Sequence, residues 1–292
     1  MIVMEIHVSD FLREPEKALA SAGWATRSEK SGAELEPTKD EIKKMVNYSK
    51  DMKLSSVLNI PFFVFSVKDV SRAFTHQWVR YRMAAHMQQS LRYVNISTGN
   101  DDWFVVPPSV SMKGADSVVE YVNSQLNSAS SYRSLVKSKV PVEDARFALP
   151  IGTKTHITTA MNAEELMHVI AQRCCMDAQW EIRTVSYALM AAGLMISPMI
   201  FEGTGAHCIS EGKCRGSGKG KCMSYAEEMA KKMRKVAKKK EGAFRKKDGE
   251  WLDVDLTKEL GFEADRELKK EVAEKLGREI NLDMPVVLRI RK

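Results

Sequence analysis

The sequence predicts a mixed α/β fold, and three observations support this. Apolar residues make up 44% of the 292 residues, which is enough to build a core and excludes a disordered or collagen-like chain. Segments rich in β-branched and aromatic residues, at 57–67 and 153–160, alternate with segments whose apolar residues recur at helical spacing. Five cysteines are too few for a disulfide scaffold. The length fits one large domain or two ordinary ones.

The N-terminal third predicts two helices, a strand and a third helix. The first helix covers about 14–22, and a better-defined one follows Pro37, with Thr38 as its N-cap. Residues 57–67 predict a strand, in which Pro61 indicates an edge position or a bulge. Residues 69–80 then predict a helix with one apolar face.

The middle of the chain predicts a loop followed by helices around one strand. The loop covers 95–112, and a long surface helix covers 115–136. The remaining elements are a helix that begins at Pro141, a strand at 153–160, and helices at 162–173 and 177–196 with Asn162 and Asp177 as caps.

The composition changes after Pro198. A glycine- and cysteine-rich stretch leads into a very basic helix at 225–240. From Gly249 a small unit predicts a strand at 251–254, a helix at 264–276 and a last strand at 285–291. We therefore predict a main domain over 1–200, a Cys/Gly-rich loop over 201–224, and a basic helix with a small C-terminal unit over 225–292.

The net charge of +7 is concentrated in one segment. Residues 210–247 carry 14 Lys and Arg against 4 Asp and Glu, a local charge of +10, which leaves −3 for the rest of the chain. Such a helix can bind nucleic acid through phosphate charge. The absence of interleaved aromatic residues favours the other interpretation, a solvated surface helix.

No membrane span or signal peptide is expected. The most apolar stretch, 187–196, covers ten residues, whereas a span needs about 20. The N-terminus lacks the basic region of a secretory signal, so we expect a cytoplasmic protein that does not contact a membrane.

The densest group of functional side chains lies between residues 77 and 93. Its members are Gln77, Arg80, Tyr81, Arg82, Gln88, Ser90 and Arg92. The three arginines cannot share one helical face, so we expect the helix to end near Arg80 and the chain to turn. Guanidinium groups bind phosphate through paired hydrogen bonds, and Ser90 can add a hydroxyl. The alternative is a solvated, arginine-rich turn.

A second group follows at Arg146, Asn162, His168 and Arg173. At 100° per residue, Asn162 and Arg173 lie on roughly one side of their helix, whereas His168 and Arg173 point in different directions. A single histidine on a helix is more often structural than catalytic.

The pattern Arg80-Tyr-Arg82, seven residues, Ser90 resembles the signature of the flavin-dependent thymidylate synthases, which reads Arg-His-Arg, seven residues, Ser. The second group resembles the later half of that family, in order and in spacing. The matching residues are Arg146 with Leu149-Pro150, Met161-Asn162, Glu165-Leu166 with His168, Arg173, and Ala178-Gln179 with Glu181-Ile-Arg183. The resemblance covers roughly residues 40–200.

This resemblance implies a fold, a reaction and an assembly. The fold would have a central mixed or antiparallel sheet with long helices, here followed by a small C-terminal extension. The enzyme would be a homotetramer that binds FAD between subunits. It would transfer a methylene group from methylenetetrahydrofolate to dUMP and reduce it with a flavin hydride supplied by NADPH, giving dTMP.

The resemblance also assigns roles by position. Arg173 would be catalytic, since a nearby cation favours the deprotonated pyrimidine N3. The nucleotide would be bound by Gln77, Arg80, Gln88, Ser90, Arg92, Arg146 and Arg173. The flavin would be bound by Ser56, Arg80, Tyr81, Arg82, Asn162 and His168.

Four positions depart from the family pattern. Tyr81 replaces the histidine of the first motif, Gln88 replaces a glutamate, Asn59-Ile60 replaces a Glu-His pair, and Glu164 stands where the family often has arginine. These departures leave alternatives open. The chain is a divergent thymidylate synthase, a related methyl- or hydroxymethyltransferase acting on another pyrimidine nucleotide such as dCMP, or a non-catalytic paralogue that binds nucleotides or nucleic acid.

The remaining cysteines suggest two interpretations. Three thiolates and an imidazole, from His207, Cys208, Cys214 and Cys222, could complete a tetrahedral zinc site. Because no Cys-x-x-Cys pair occurs, free reduced thiols are the other interpretation, and we assign no metal. Cys174 and Cys175 predict buried packing.

Overall fold

The computed structural model describes residues 3–98, 102–218, 220–246 and 250–292. The described residues form a six-stranded sheet in the order β3-β4-β2-β1-β6-β5. The strands are β1 (Met4–Phe11), β2 (Phe62–Ser71), β3 (Ala84–Gln88), β4 (Lys154–Asn162), β5 (Trp251–Asp255) and β6 (Val286–Arg291).

Helices surround this sheet and fill the connections between its strands. In chain order they are α1 (Pro15–Ala25), α2 (Lys39–Asp51), α3 (Ser55–Leu58), α4 (Arg72–Trp78), α5 (Pro108–Ser111), α6 (Ala115–Lys137), α7 (Val142–Ala145), α8 (Ala163–Arg173), α9 (Trp180–Ile196), α10 (Pro198–Phe201), α11 (His207–Ser210), α12 (Met223–Arg245), α13 (Thr257–Leu260) and α14 (Arg266–Leu276).

The sheet is mixed, because β1 pairs parallel with β6 whereas every other neighbouring pair is antiparallel. Alternate residues of each central strand, such as Ile6, Phe65 and Leu288, are fully buried on one face. Helix α9 lies against this face and is buried along almost its whole length. The predicted α/β class with a mixed sheet and long helices is confirmed.

A smaller core lies where α6 meets α14. Val118, Val122 and Ala129 of α6 pack with Val272 of α14, and Lys275 of α14 forms an ion pair with Asp116 at 2.6 Å. The C-terminal residues therefore pack against the middle of the chain as well as against the sheet.

The prediction for residues 57–80 placed both element boundaries too early. Val57 and Leu58 belong to the short helix α3, and the strand begins at Phe62, directly after Pro61. Pro61 thus precedes a central strand and does not mark an edge. The strand continues to Ser71, through a bulge after Val67 in which Asp69 has a φ of 58°, and α4 begins only at Arg72.

Two of the three predicted helix caps are confirmed. Thr38 accepts a hydrogen bond from the Glu41 N–H in a capping box, and Asn162 Oδ1 accepts one from the Glu165 N–H at 2.9 Å. The Asp177 cap is wrong, because α9 begins three residues later with Gln179 as its cap. Asp177 instead accepts hydrogen bonds from the N–H and the hydroxyl of Ser217.

The basic helix α12 is longer than predicted and is amphipathic. Ala226, Met229, Ala230 and Met233 are buried towards α9, and most of its lysines are exposed on the opposite side. Nucleic-acid binding by this helix stays a prediction. Within the described residues, no helix is both long enough and apolar enough to cross a membrane.

Strands from both sides of the predicted boundary near 200–225 share the sheet, since β6 pairs with β1. The division into 1–200, 201–224 and 225–292 stays a prediction, because sheet continuity does not measure independent folding. The predicted start of the C-terminal unit at Gly249 lies outside the described residues, as do positions 99–101 of the predicted loop.

Candidate active site

The predicted turn near Arg80 is confirmed, because α4 ends at Trp78 and the chain turns before β3 begins at Ala84. This turn separates the side chains of the first motif. Tyr81 is buried against Trp78, with ring centroids 5.9 Å apart, whereas Arg80 and Arg82 are exposed. Among the described residues, neither of these two guanidinium groups has an ion-pair partner.

Tyr81 joins the two motif groups. Arg173 Nε donates a hydrogen bond to the Tyr81 hydroxyl at 2.5 Å, and its Cζ lies 5.4 Å from the centroid of the Tyr81 ring. The same hydroxyl donates to Gln172 Oε1 at 3.2 Å. Burial raises the pKa of Tyr81, and the nearby Arg173 opposes this shift. The phenol therefore stays protonated and keeps Arg173 in one orientation.

His168, like Arg173, contacts Tyr81, although helical spacing gives the two side chains different directions. Its ring is perpendicular to that of Tyr81, with centroids 6.3 Å apart, and its Nε2 is 2.9 Å from Gln172 Nε2. Tyr81, His168 and Arg173 therefore form one group, which we call the tyrosine group.

Ser90, Arg92 and Arg146 lie together at the other end of β3, and we call them the arginine group. Arg92 Nε donates to Glu143 Oε2 at 2.9 Å, and Arg146 Nε donates to the Glu143 carbonyl at 2.9 Å. Ser90 Oγ accepts a hydrogen bond from the Arg92 N–H at 3.2 Å. Glu143, at the start of α7, thus fixes both arginines.

Arg72 adds a third cation to the arginine group. One of its terminal N–H groups donates to the Gln89 carbonyl at 2.7 Å, but its Nε is buried and has no hydrogen-bond partner. Burial lowers the pKa of Arg72, and the charge of Arg146 lowers it further. A bound anion would stabilise this arrangement, because it would accept a hydrogen bond from the unpartnered Nε and offset the repulsion between the positive charges.

The two glutamines of the first motif differ in their contacts. Gln88 Nε2 donates to Thr75 Oγ1 of α4 at 2.8 Å, so its side chain joins β3 to the preceding helix. Gln77 lies half-buried on α4. The predicted role of both residues in nucleotide binding stays a prediction.

Ser56 and Asn162 lie where the N-terminal end of α8 meets α3. The Glu164 carboxylate accepts a hydrogen bond from the Ser55 hydroxyl, next to the exposed Ser56. Asn162 is engaged as the cap of α8. Glu164, which departs from the family pattern, therefore ties α8 to α3.

No direct hydrogen bond or ion pair between described residues joins the tyrosine group to the arginine group. They lie near opposite ends of β3, which is an edge strand. The sequence analysis missed Glu143, Gln172 and Arg72. Their contacts with other parts of the chain carry no local signal in the sequence.

A cavity of about 340 Å³ adjoins the tyrosine group. Its lining includes Arg173, His207 and four thiols, those of Cys175, Cys208, Cys214 and Cys222. Cys174 is buried as predicted, but Cys175 is half-buried and faces this cavity, so its predicted packing role is wrong.

The zinc arrangement is not supported. Within the described ranges, no group of three or more His, Cys, Asp or Glu side chains is arranged to hold a metal ion. His207 Nδ1 lies 3.1 Å from Glu211 Oε1. The five cysteines carry no disulfide, in agreement with the interpretation as free thiols.

Comparison with known proteins decides the family. The sequence model of a family described as thymidylate synthase complementing protein matches residues 7–198. A flavin-dependent thymidylate synthase from Geobacter sulfurreducens is 42% identical over 165 residues, which cover 56% of this chain and 69% of the relative. This chain belongs to the flavin-dependent thymidylate synthase family.

A second family member, from Saccharolobus solfataricus, is 31% identical over 211 residues, which cover 71% of this chain and 79% of the relative. The structure of a UMP/dUMP methylase from Streptomyces cacaoi, solved with 5-Br dUMP bound, is similar with a TM-score of 0.61. That similarity covers 69% of this chain and 96% of the methylase at 16% identity, so it supports the fold alone. Membership of the family implies a flavin cofactor.

Proposed function

We propose that this chain methylates dUMP to dTMP, taking a methylene group from methylenetetrahydrofolate and reducing it with a hydride from FAD. The observation that carries the proposal is the arginine group with its unpartnered Arg72 Nε. Three guanidinium groups close to a serine hydroxyl form a site for one phosphate monoester. A nucleoside monophosphate fits such a site, since its single phosphate would satisfy the unpartnered donor.

The tyrosine group supports a role in activating the base. Arg173, oriented by Tyr81, would place its cation beside the pyrimidine N3. A nearby positive charge lowers the pKa of that N3–H, and the deprotonated ring is the better nucleophile at C5. Gln172 and His168 would support this orientation through their contacts with Tyr81 and with each other.

The residues around the turn fit a flavin. Arg80 and Arg82 are exposed and have no ion-pair partner among the described residues, so they can neutralise a pyrophosphate. Ser56 and Asn162 lie at the junction of α3 and α8, where both can contact the cofactor. The Glu164 carboxylate at that junction accepts a hydrogen bond from the Ser55 hydroxyl.

When bound, FAD supplies the hydride that reduces the transferred methylene, and NADPH restores the reduced flavin. The protein side chains bind the nucleotide phosphate, orient Arg173 and stabilise the deprotonated pyrimidine. This mechanism requires no cysteine nucleophile.

We further propose that four copies assemble to complete each site. The two groups lie near opposite ends of the edge strand β3, and Met83 and Met87 there are 64% and 77% exposed. Large exposed apolar side chains beside the open edge of a sheet favour association between copies. An arginine group from one copy would then meet the tyrosine group of another. Light scattering of the purified protein should give the mass of a tetramer.

The deciding experiment measures cofactor and product together. We expect visible absorption bands of bound flavin after addition of FAD, and conversion of dUMP to dTMP in the presence of methylenetetrahydrofolate and NADPH. Replacing Arg146→Gln should raise the KM for dUMP about tenfold or more, as for loss of a charged hydrogen bond. Arg245→Gln, on the far part of α12, serves as the matched control and should leave KM unchanged.

The same assay separates the alternatives. Turnover of dCMP in preference to dUMP would replace the proposed substrate. A protein that binds dUMP but takes up no flavin would be a non-catalytic paralogue, and either result would contradict the proposal.

A further inference from the structure

The cavity beside Arg173 collects thiols from three separate parts of the chain. Cys175 lies in the turn between α8 and α9, Cys208 lies on α11, and Cys214 and Cys222 bound the glycine-rich segment before α12. All four are half-buried and free. The last three lie beyond the residues that match the family model. Thiols that share one cavity are at high effective concentration for each other.

Cys214 lies in the glycine-rich part of this thiol cluster. Its Sγ is 3.8 Å from the Gly216 carbonyl oxygen. A Cβ added at Gly216 would lie 3.2 Å from Cys175 Sγ. Gly216 is therefore close to the thiols of both Cys214 and Cys175. Cys208 is close to the other three thiols. Burial is the main cause that raises the pKa of Cys208, and the charges of Cys214, Cys222 and Cys175 each raise it further.

The segment that carries Cys214 is anchored at one point. Asp177 accepts hydrogen bonds from the N–H and the hydroxyl of Ser217, and these bonds lower the pKa of its carboxyl. Gly212 and Gly220 take positive φ values of 67° and 87° on either side. These glycines let the backbone turn on either side of Cys214 without the strain that another residue would meet.

We propose that the thiol cluster is a thiol–disulfide exchange site in which Cys214 pairs reversibly with a neighbouring cysteine of the cavity. The oxidant is a low-molecular-weight disulfide. A thiolate of the cluster attacks one of its sulfurs and releases one small thiol, which leaves a mixed disulfide on the protein. A second cluster thiol then attacks that mixed disulfide and releases the second small thiol. The protein loses two protons and two electrons, and the small disulfide is reduced to two thiols.

This site has a consequence for catalysis, which rests on the proposed function. Arg173 lines the same cavity as the four thiols, and Cys175 follows it by two residues. A disulfide that draws the Cys214 segment towards Cys175 would change the space around Arg173. We expect oxidation to weaken dUMP binding about fivefold or more, the lower end of the range for coupled sites.

The test uses the full-length protein, first fully reduced and then equilibrated with glutathione disulfide. Peptide mapping by mass spectrometry should find an intramolecular link that includes Cys214, and reduction should remove it. Cys214→Ser should abolish this link. The control is Cys174→Ala, which removes a fully buried thiol outside the cavity and should leave the link unchanged.

Several results would overturn the proposal. Two of them concern the wild-type protein: no disulfide link at all, or links only between separate molecules. An undiminished intramolecular link in Cys214→Ser would also overturn it. So would stoichiometric zinc in protein purified without chelator. Titration of dUMP into the reduced and oxidised samples tests the consequence separately. An unchanged affinity would overturn the coupling to Arg173, whereas failure of the reduced protein to bind dUMP would count against the proposed function and leave the mapping result intact.

Discussion

Replacing Tyr81→Phe tests the arrangement that distinguishes this chain from the usual family motif. The substitution removes the hydroxyl that accepts the 2.5 Å hydrogen bond from Arg173 Nε and leaves the aromatic ring in place. A hydrogen bond to a charged group contributes about 1.5–3 kcal/mol. Because the ring retains its contact with the guanidinium at 5.4 Å, we take the lower value, about 1.5 kcal/mol. We therefore expect kcat/KM for dUMP to fall about tenfold.

The assay is steady-state formation of dTMP, with thermal unfolding measured alongside to confirm that the variant is folded. Tyr48→Phe is the matched control, because Arg27 donates to the Tyr48 hydroxyl at 3.1 Å and lies 5.2 Å from its ring, far from the motif residues. This control should keep the wild-type kcat/KM. It separates a specific effect on Arg173 from the general loss of a Tyr–Arg contact.

A double-mutant cycle with Arg173→Lys identifies Tyr81 as a positioning residue. If Tyr81 acts through Arg173, the double variant should be hardly worse than Arg173→Lys alone. A kcat/KM for Tyr81→Phe within twofold of the wild type would refute the reasoning. So would full additivity of the two substitutions, since it would mean that the residues act independently.

Three further predictions concern the stability of the fold and the affinity for flavin. Ser71→Ala removes a hydroxyl that caps α4 and donates a hydrogen bond to the buried Glu181 carboxylate, so we expect the free energy of unfolding in urea to fall by about 2 kcal/mol. Thr38→Ala removes an exposed cap and should lower the same free energy by about 1 kcal/mol. Equal losses in the two variants would contradict this prediction. Lys154 is buried against Asp102 and burial lowers its pKa, so the unfolded chain binds more protons between that lowered pKa and the ordinary value of about 10.4. The free energy of unfolding of the wild type should therefore rise with pH in this window, relative to that of Lys154→Met. Asp102→Asn leaves the buried ammonium unpaired, so it should lower the melting temperature more than Lys154→Met does. Glu164→Gln removes a negative charge near the expected flavin site and should lower the Kd for FAD about threefold in a fluorescence titration, with an unchanged or higher Kd as the contrary result.

Local signals predicted much of the fold. Thr38 and Asn162 were correctly predicted as caps because capping depends on residues within one turn of the helix. The turn after α4 followed from the number of arginines that one helical face can carry. Strand β3 was missed, because its residues, Ala84–Gln88, have no strong strand preference and are held by pairing with β4.

The contacts that build the candidate site were predicted only in part. The motifs named Arg92, Arg146 and Arg173 from the sequence, but Glu143, which fixes the first two, lies 51 residues from Arg92. The shared contact of His168 and Arg173 with Tyr81 was not predicted, because helical spacing gives only the direction in which each side chain leaves the helix. Cys175 was predicted to pack in the core, because nothing near it in sequence indicates that distant residues such as Cys208 and Cys214 form a cavity with it.

The parallel pairing of β1 with β6 constrains the order in which the chain folds. It joins Met4 to Val286, so this part of the sheet cannot form until the chain has been synthesised as far as residue 286. Until then β1 can pair only with β2, and its other edge carries unpaired backbone groups beside buried Ile6 and Val8. Such an edge promotes association between incomplete chains. Residues 286–290 cover this edge of β1 once they have been synthesised, so they remove that route to association as well as completing the sheet.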